Sequence, residues 1–267
     1  PWKRLYNSVM ARGDVVIANS VFIRDHVYRT HRTPADRLIV IPRGVDLAQF
    51  DPDATPDERV QALRTAWGIP GGGRKLVALL PGRLSAWKGQ HVLIEAAYNL
   101  KEAGQEEDFL FILAGGAQGS GSYGEALKRR IKERRVGNMV KMVGHCADMQ
   151  AAIAVSDVVV STSLRPEAFG RVAVEAQAMG RPAIATDHGG ARETVLENET
   201  GWLTPPGDAG ALAAALSRFA GLSGKARAEI GAAGRKRVAE RFDNARMCAD
   251  TLSVYERVLS AAREAAR

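Results

Sequence analysis

The sequence has few of the residues and none of the long apolar runs that mark several classes of protein. It contains two cysteines and five histidines among 267 residues, and only 6% of its residues are aromatic. No Cys/His grouping has the spacing of a zinc site, and we expect Cys146 and Cys248 to be reduced thiols. No apolar run approaches the roughly 18 residues that a membrane-spanning helix needs. These shortages exclude a disulfide scaffold, a zinc module and a multi-span membrane protein.

Sorting and catalytic signatures are also missing. No signal peptide is visible, so we expect a cytoplasmic protein. The chain begins at Pro1 rather than at a methionine, and we expect an upstream segment to be absent. The sequence has no Gly-x4-Gly-Lys-Ser/Thr phosphate loop, and no serine or cysteine nucleophile has a visible partner.

The composition is that of a folded domain with a basic surface. Hydrophobic residues make up 46% and charged residues 25%, and 37 Lys and Arg against 30 Asp and Glu give a net charge of +7. This charge suits phosphorylated ligands, nucleic acid or anionic lipid. The densest basic cluster, residues 128–135, is predicted to be a solvated helix face, with peripheral membrane contact left open. No nucleic-acid-binding module is recognisable, so we expect no nucleic acid partner.

Short apolar strands alternate with helices over most of the chain. Such an alternation predicts an α/β fold with a doubly wound, Rossmann-like parallel sheet. An earlier strand, helix and strand, at 14–19, 21–31 and 37–42, are separated from this unit by a proline-containing linker, which places a boundary near residue 50. The predicted elements of the main unit are strands 75–80, 109–114, 139–143, 157–161 and 182–186, helices 90–103, 124–135, 147–155, 170–179 and 190–197, and two final helices at 224–240 and 244–265.

Two glutamates frame the start of one predicted helix. Glu167 precedes the helix and Glu175 lies about two turns into it, roughly 12 Å away at 1.5 Å per residue. Between them, the free N–H groups near Phe169, Gly170 and Arg171 favour an anion such as a diphosphate. A nucleotide-sugar has hydroxyl-bearing ends and a charged middle, which fits this pattern. The alternative is a structural ion pair between Glu175 and Arg171.

Two cations follow the strand at 75–80. Arg83 and Lys88 lie at the carboxyl end of that strand, where open α/β sheets bind ligands. Gly82 and Gly89 allow the loop to fold closely, which places a guanidinium and an ammonium beside a diphosphate. Exposed loop cations without a ligand are the alternative.

The Glu-x7-Glu pattern resembles that of the retaining nucleotide-sugar glycosyltransferases of family four, which have the GT-B fold. The resemblance extends in order and spacing over nearly the whole chain, through residues 14–20, 41–46, 82–89, 111–116 and 189–195. It implies a remnant of an acceptor-side domain at 1–48, a donor-binding domain at 49–243 and a C-terminal helix at 244–267 that crosses the domain junction. The sequence departs from the usual pattern at Ala168 and Arg43.

The resemblance also implies roles and substrates. Arg83 and Lys88 would bind the donor diphosphate, Glu167 the sugar hydroxyls and Glu175 the ribose. The remaining donor-binding positions are Gly82, Gly116, Gly144, His145, Phe169, Gly170, Arg171, Gly189 and Gly190. The donor would be a UDP-, GDP- or ADP-sugar and the acceptor a glycan or lipid-linked envelope molecule, bound through the missing N-terminal part and at the inner membrane face. No further cofactor is expected.

Other motifs carry weaker hypotheses. Residues 119–124 match Gly-x-Gly-x-x-Gly, but the context is wrong for NAD, and a flexible loop is favoured. Asp51 and Asp53 form Asp-x-Asp within a proline-rich linker, which favours a turn, and we predict no metal. His188 is interpreted as a polar loop residue. The alternative is that it lines the donor site. Two other functions stay open, a non-catalytic nucleotide-sugar-binding module and a GT-B-like nucleotide-sugar epimerase.

Overall fold

A small parallel sheet forms the N-terminal part of the chain. The computed structural model describes residue 6 and residues 8–70, 75–116 and 121–267. Strand β1 (Val16–Ala18) pairs in parallel with β2 (Leu38–Val40), and helix α1 (Val21–His31) connects them. A parallel pair needs such a crossover, because the chain must return to the same end of the sheet.

The main unit is a six-stranded, wholly parallel sheet. In chain order its strands are β3 (Leu76–Pro81), β4 (Phe109–Ala114), β5 (Val140–Gly144), β6 (Val158–Ser161), β7 (Ala183–Thr186) and β8 (Gly201–Thr204). Their spatial order is β5-β4-β3-β6-β7-β8. This order reverses between β3 and β6, and in open α/β sheets ligands bind outside the carboxyl ends of the strands at such a switch point.

Helices cover both faces of this sheet. The helices of the main unit are α2 (Asp57–Ala66), α3 (Gln90–Glu102), α4 (Ser122–Glu133), α5 (Met149–Val155), α6 (Arg171–Ala178), α7 (Ala191–Thr194), α8 (Ala209–Gly221) and α9 (Gly224–Arg241), followed by α10 (Asn244–Ala265). Along β4, Phe109 and Phe111 enter one core cluster, whereas Leu110 and Ile112 enter the other. This alternation explains why the strand is apolar at every position. Within the described residues, every helix is too short or too polar to cross a membrane.

The doubly wound sheet predicted from the sequence is confirmed, but the predicted set of helices and strands is incomplete. The prediction missed α2, β8 and α8, and α7 is shorter than the helix predicted at 190–197. Val195 is extended and ends α7, after which the hydroxyl of Thr200 accepts a hydrogen bond from the backbone N–H of Leu196. Gly201 is extended beside Ala183, where a Cβ would lie 1.8 Å from the Ala183 carbonyl oxygen. The close contact that Gly201 permits therefore lets this short segment pair with β7.

The N-terminal segment and the C-terminal helix meet the main unit at one junction. Val45 forms a parallel bridge with Asp243, its N–H donates to Phe242, and its carbonyl accepts from Asn244. A Cβ on Gly44 would lie 2.6 Å from the Cα of Asn244, so these two segments of the chain are in close contact. These contacts join the segments on either side of residues 48 and 243, where the sequence predicts domain boundaries.

Candidate functional site

The candidate site lies at the switch point, where the loops after β3 and β6 meet. The hydroxyl of Thr162 donates to the carbonyl of Lys88 over 2.9 Å, and the N–H of Leu164 donates to the carbonyl of Trp87 over 2.7 Å. Gly89 makes this contact sterically feasible, because its φ is +69° and a Cβ there would lie 2.0 Å from the carbonyl oxygen of Thr162. The two loops are therefore one unit at the edge of the sheet.

Lys88 and Glu167, which the sequence analysis placed on separate segments, are in direct contact. The Lys88 Nζ lies 2.6 Å from Glu167 Oε1, and their side chains are only 17% and 16% exposed. The hydroxyl of Ser163 donates to the same carboxylate oxygen, and Lys88 Nζ lies 4.6 Å from the ring centroid of Trp87. An ion pair this far from solvent, with further hydrogen bonds, holds both side chains in defined positions.

Arg83 is on the exposed side of the same loop. Its carbonyl accepts a hydrogen bond of 2.9 Å from the Nε2 of Gln90, which is fully buried at the start of α3. Gly82, at φ +148°, lies under the Lys88 side chain, with a Cβ position 3.8 Å from Lys88 Cδ. The loop backbone is thereby fixed, and the Arg83 and Lys88 side chains start from the same edge of the sheet.

The N-terminus of α6 lies beside Glu167, and no side chain among the described residues caps it. Its N-cap is Gly170 with φ +86°, and the helix begins at Arg171. Phe169 is buried and packs edge-on against Phe242 with ring centroids 5.4 Å apart, which anchors the turn. An uncapped helix start presents free N–H groups and a partial positive charge, and both favour an anion.

Glu175 pairs with Arg171, as the structural alternative expected. Arg171 Nη2 lies 2.8 Å from Glu175 Oε1, with the Glu175 side chain 13% exposed and the Arg171 side chain 65% exposed. Burial raises the pKa of the Glu175 carboxyl, and the Arg171 guanidinium opposes this rise. The exposed arginine thus offsets only part of the cost of burying the carboxylate.

Gly189 and Gly190 pack against the backbone of the Glu167 loop. A Cβ on Gly189 would lie 2.5 Å from the Glu167 carbonyl oxygen, and one on Gly190 would lie 2.5 Å from the Cα of Phe169. The N–H of Gly190 donates to the Glu167 carbonyl over 2.9 Å. Close approach within the protein therefore accounts for these two glycines, and contact between them and a ligand stays a prediction.

Three of the predicted donor-binding positions, Gly116, Gly144 and His145, come together at the ends of β4 and β5. Gly116 follows β4, and its carbonyl accepts from the N–H of Leu84 over 3.0 Å. A Cβ on Gly116 would lie 3.7 Å from the Cβ of His145. His145 and Gly144 are exposed, and Gly144 has φ +75°. Gly116 and His145 are therefore neighbours at adjacent strand ends, and Gly116 is hydrogen-bonded to the loop that carries Lys88.

His188 lies next to the Glu167 loop. It lines a small cavity together with Glu167, Gly170 and Thr186. Both ring nitrogens are buried and have no hydrogen-bond partner among the residues that the structure describes. A buried imidazole N–H without a partner among these residues is costly to stability.

Two weaker motifs lie away from the site. Asp51 Oδ1 accepts from the N–H of Asp53 and from Arg235 Nη2 at 2.7 Å, so the Asp-x-Asp segment forms a turn that is fastened to α9. The glycine motif at 119–124 begins at positions outside the described residues, and its end forms the first turn of α4.

Sequence reasoning missed three polar contacts within the site. Ser163 binds Glu167, Thr162 joins the two loops and Trp87 lies against Lys88. Thr162 and Ser163 immediately follow β6. Their position gives a signal in the sequence, because polar residues at the carboxyl end of a switch-point strand are candidates for a ligand site. Their exact partners depend on the tertiary fold.

Comparison with known families assigns the chain. Residues 64–237 match the family described as glycosyl transferases group 1, and residues 1–49 match glycosyltransferase family 4. The first match covers well over half of the chain, and the chain belongs to the group 1 glycosyl transferases. The family four resemblance seen in the sequence is thereby confirmed.

Individual relatives support this assignment. A D-inositol 3-phosphate glycosyltransferase from Jonesia denitrificans is 31% identical over 257 residues, which cover 95% of this chain and 59% of the relative. A glycosyltransferase structure from Rickettsia africae has a TM-score of 0.88 and 32% identity, over 97% of this chain and 67% of that one. The structure of Anabaena HepE in complex with UDP-glucose has a TM-score of 0.81 and 31% identity, over 94% and 67%. The chain thus spans only part of the length of these proteins.

Proposed function

We propose that this chain is the donor-binding part of a retaining, metal-independent glycosyltransferase that uses a nucleoside-diphosphate hexose. The observation that carries the proposal is the cluster of Lys88, Glu167 and the uncapped start of α6 at the switch point of the sheet. The cluster has a cation and free N–H groups for a diphosphate, and a carboxylate for sugar hydroxyls. The complex of the similar HepE with UDP-glucose agrees with such a donor.

Different residues of the site bind the diphosphate and the sugar of the donor. Arg83, Lys88 and the N–H groups at Gly170 and Arg171 hold the diphosphate and stabilise the charge that builds on it as it leaves. Glu167 accepts from the sugar hydroxyls while positive charge develops on the ring. The acceptor attacks from the face that the diphosphate leaves, so the anomeric configuration is retained without a covalent enzyme intermediate.

Glu175 holds the ribose in this account. Its buried carboxylate costs stability that Arg171 only partly offsets, and ribose hydroxyls would add hydrogen bonds to the one that it accepts from Arg171. The nucleobase is assigned to the neighbourhood of Gly116, Gly144 and His145, at the ends of β4 and β5.

We further propose that the acceptor is a glycan or lipid-linked envelope molecule and that the enzyme works in the cytoplasm, peripheral to the inner membrane face. The basic residues 128–135 are the candidate membrane contact. Arg130 and Arg134 of this cluster both pair with Glu95, at 2.6 and 2.9 Å. Their charge is therefore partly neutralised, and the membrane contact is the weaker part of the proposal.

A thermal-shift panel of UDP-, GDP- and ADP-sugars tests the donor proposal. A ligand at about 100 times its dissociation constant adds roughly 2.7 kcal/mol to stability, which is readily detected. We expect one base to give a clear rise in melting temperature. The absence of a shift with all three would contradict a donor site.

A non-catalytic module would bind without turnover in the longer polypeptide, and an epimerase would convert the donor without an acceptor. Transfer assays with the longer polypeptide include D-inositol 3-phosphate among the acceptors, because a similar protein is named for it.

A further inference from the structure

The first turn of α1 is capped by a residue of the main unit. Glu193 accepts hydrogen bonds from the backbone N–H groups of both Val21 and Phe22, each over 2.8 Å. Free N–H groups at a helix start carry partial positive charge, so a carboxylate that binds two of them makes a strong, charge-assisted contact. About 170 residues of sequence separate the two sides of this contact, so it is a tertiary contact and not a local cap.

Ser20 makes a second contact at the same helix start. It is fully buried, and its hydroxyl accepts from the N–H of Ile23 over 3.1 Å. The same hydroxyl donates to the carbonyl of Ala168 over 2.5 Å. Ala168 is the residue after Glu167. The N-cap serine of α1 therefore binds the loop that carries the sugar-binding carboxylate.

Glu193 reaches this loop from the other side. It lies on α7, whose preceding residue Gly190 donates its N–H to the Glu167 carbonyl over 2.9 Å. The Glu193 carbonyl is itself fixed by Arg237 Nη2 at 2.8 Å. The start of α1 is thus held on both sides of Glu167, through Ala168 and through Gly190.

We propose that Ser20 and Glu193 are positioning residues, which hold α1 against the Glu167 loop so that the N-terminal segment sets the position of the Glu167 carboxylate. This inference rests on the proposed function only in the role given to Glu167. It places a mechanical connection between the N-terminal, acceptor-side segment and the donor site. Movement of α1 would then displace Glu167, which links closure of the two units to correct placement of the sugar.

Amide hydrogen exchange on this chain without ligand tests the contact. In Glu193→Ala, the amides of Val21 and Phe22 are expected to exchange about tenfold faster or more, because hydrogen bonds to a charged group are lost. Glu197→Ala is the matched control, since Glu197 accepts a backbone N–H from Leu203 within the main unit. Equal exchange at Val21 and Phe22 in Glu193→Ala and the wild type would overturn the proposal.

Ser20→Ala tests transmission to Glu167 from the opposite side of the contact. We expect faster exchange of the Gly190 amide, which reports the backbone of Glu167. Ser20→Thr keeps the hydroxyl and is expected to restore slow exchange, and Glu193→Ala carries the test alone if Ser20→Ala does not fold. The control is Ser223→Ala, which removes a serine N-cap on α9 whose Oγ accepts from Ala226. An unchanged Gly190 amide in Ser20→Ala, or fast exchange in Ser20→Thr, would refute the positioning role.

Donor binding adds a readout that a merely structural contact would not change. In Glu193→Ala, we expect the affinity for the nucleoside-diphosphate sugar to fall several-fold. The affinity for the nucleoside diphosphate without the sugar should stay near that of the wild type. Loss of both affinities in equal measure would contradict positioning of Glu167. If the wild-type chain binds neither ligand, the proposed function fails, and the exchange results at Val21, Phe22 and Gly190 still decide whether α1 positions the Glu167 loop.

Discussion

Lys88 Nζ lies 2.6 Å from Glu167 Oε1, although 79 residues separate the two in the chain. The residue expected to bind the donor diphosphate is therefore paired, in the absence of ligand, with the residue expected to bind the donor sugar. In the donor complex that we propose, a diphosphate at Lys88 would replace part of this pairing and leave carboxylate oxygens of Glu167 available for hydroxyl groups. The pairing places the proposed phosphate and sugar subsites next to each other, as the two groups are in a nucleotide-sugar.

Arg83→Ala and Lys88→Ala should each weaken nucleoside-diphosphate binding by roughly ten- to a hundredfold. The reason is that hydrogen bonds to charged groups contribute about 1.5–3 kcal/mol. The corresponding nucleoside should lose little affinity, since it has no phosphate. Calorimetry with both ligands provides the check. Equal losses for nucleoside and diphosphate would show that these side chains do not hold the phosphates.

Glu175→Gln should weaken ribonucleotide binding more than 2′-deoxyribonucleotide binding, because the neutral amide accepts more weakly from ribose hydroxyls. The comparison is made by calorimetry on the folded variant. Unchanged preference between the two nucleotides, together with a large drop in melting temperature, would favour the purely structural ion pair with Arg171.

The same substitution should change the pH dependence of stability. Burial raises the pKa of Glu175 above its ordinary value of 4.5. The folded state therefore binds the proton more tightly than the unfolded state, and stability falls as the pH rises through the folded pKa. Glu175→Gln removes this loss, so the variant should be as stable as the wild type or more stable at pH 7. Any gain in stability should disappear below about pH 4, where Glu175 of the wild type is protonated. Denaturant titrations at several pH values measure the difference, and a variant that is much less stable at pH 7 would contradict it.

Gly89→Ala should destabilise the protein by about 2–5 kcal/mol, which combines the cost of a left-handed backbone with that of overpacking. The overpacking follows from the Thr162 oxygen 2.0 Å from the Cβ position. Gly104→Ala is the matched control, since φ is +75° there and no atom of the described residues, chain neighbours apart, lies within 4 Å of the Cβ position. It should cost only about 1–2 kcal/mol. Equal losses in urea unfolding would mean that the two loops are not in close contact.

The sequence predicted the main sheet and the location of the site because both depend on local patterns. Apolar strands, glycine turns and a loop before a helix place Arg83, Lys88 and Glu167 at strand ends. The contacts between these residues were not predictable, because the 2.6 Å pair depends on β3 and β6 being neighbours in space. The cap of α1 by Glu193 was missed for the same reason, and β8 was missed because a four-residue strand with a leading glycine has no strong pattern of its own.

The most direct test of the account compares donor diphosphate and donor sugar on Glu167→Gln. Calorimetry is carried out with the nucleoside diphosphate and the nucleoside-diphosphate sugar of the base that the thermal-shift panel selects. We expect the diphosphate to bind Glu167→Gln at least as tightly as the wild type, because Lys88 loses its competing partner. The additional affinity from the sugar should fall about tenfold, as expected for the loss of a charged acceptor. An unchanged sugar contribution, or equal loss of both affinities, would contradict the assignment of Glu167 to the donor sugar.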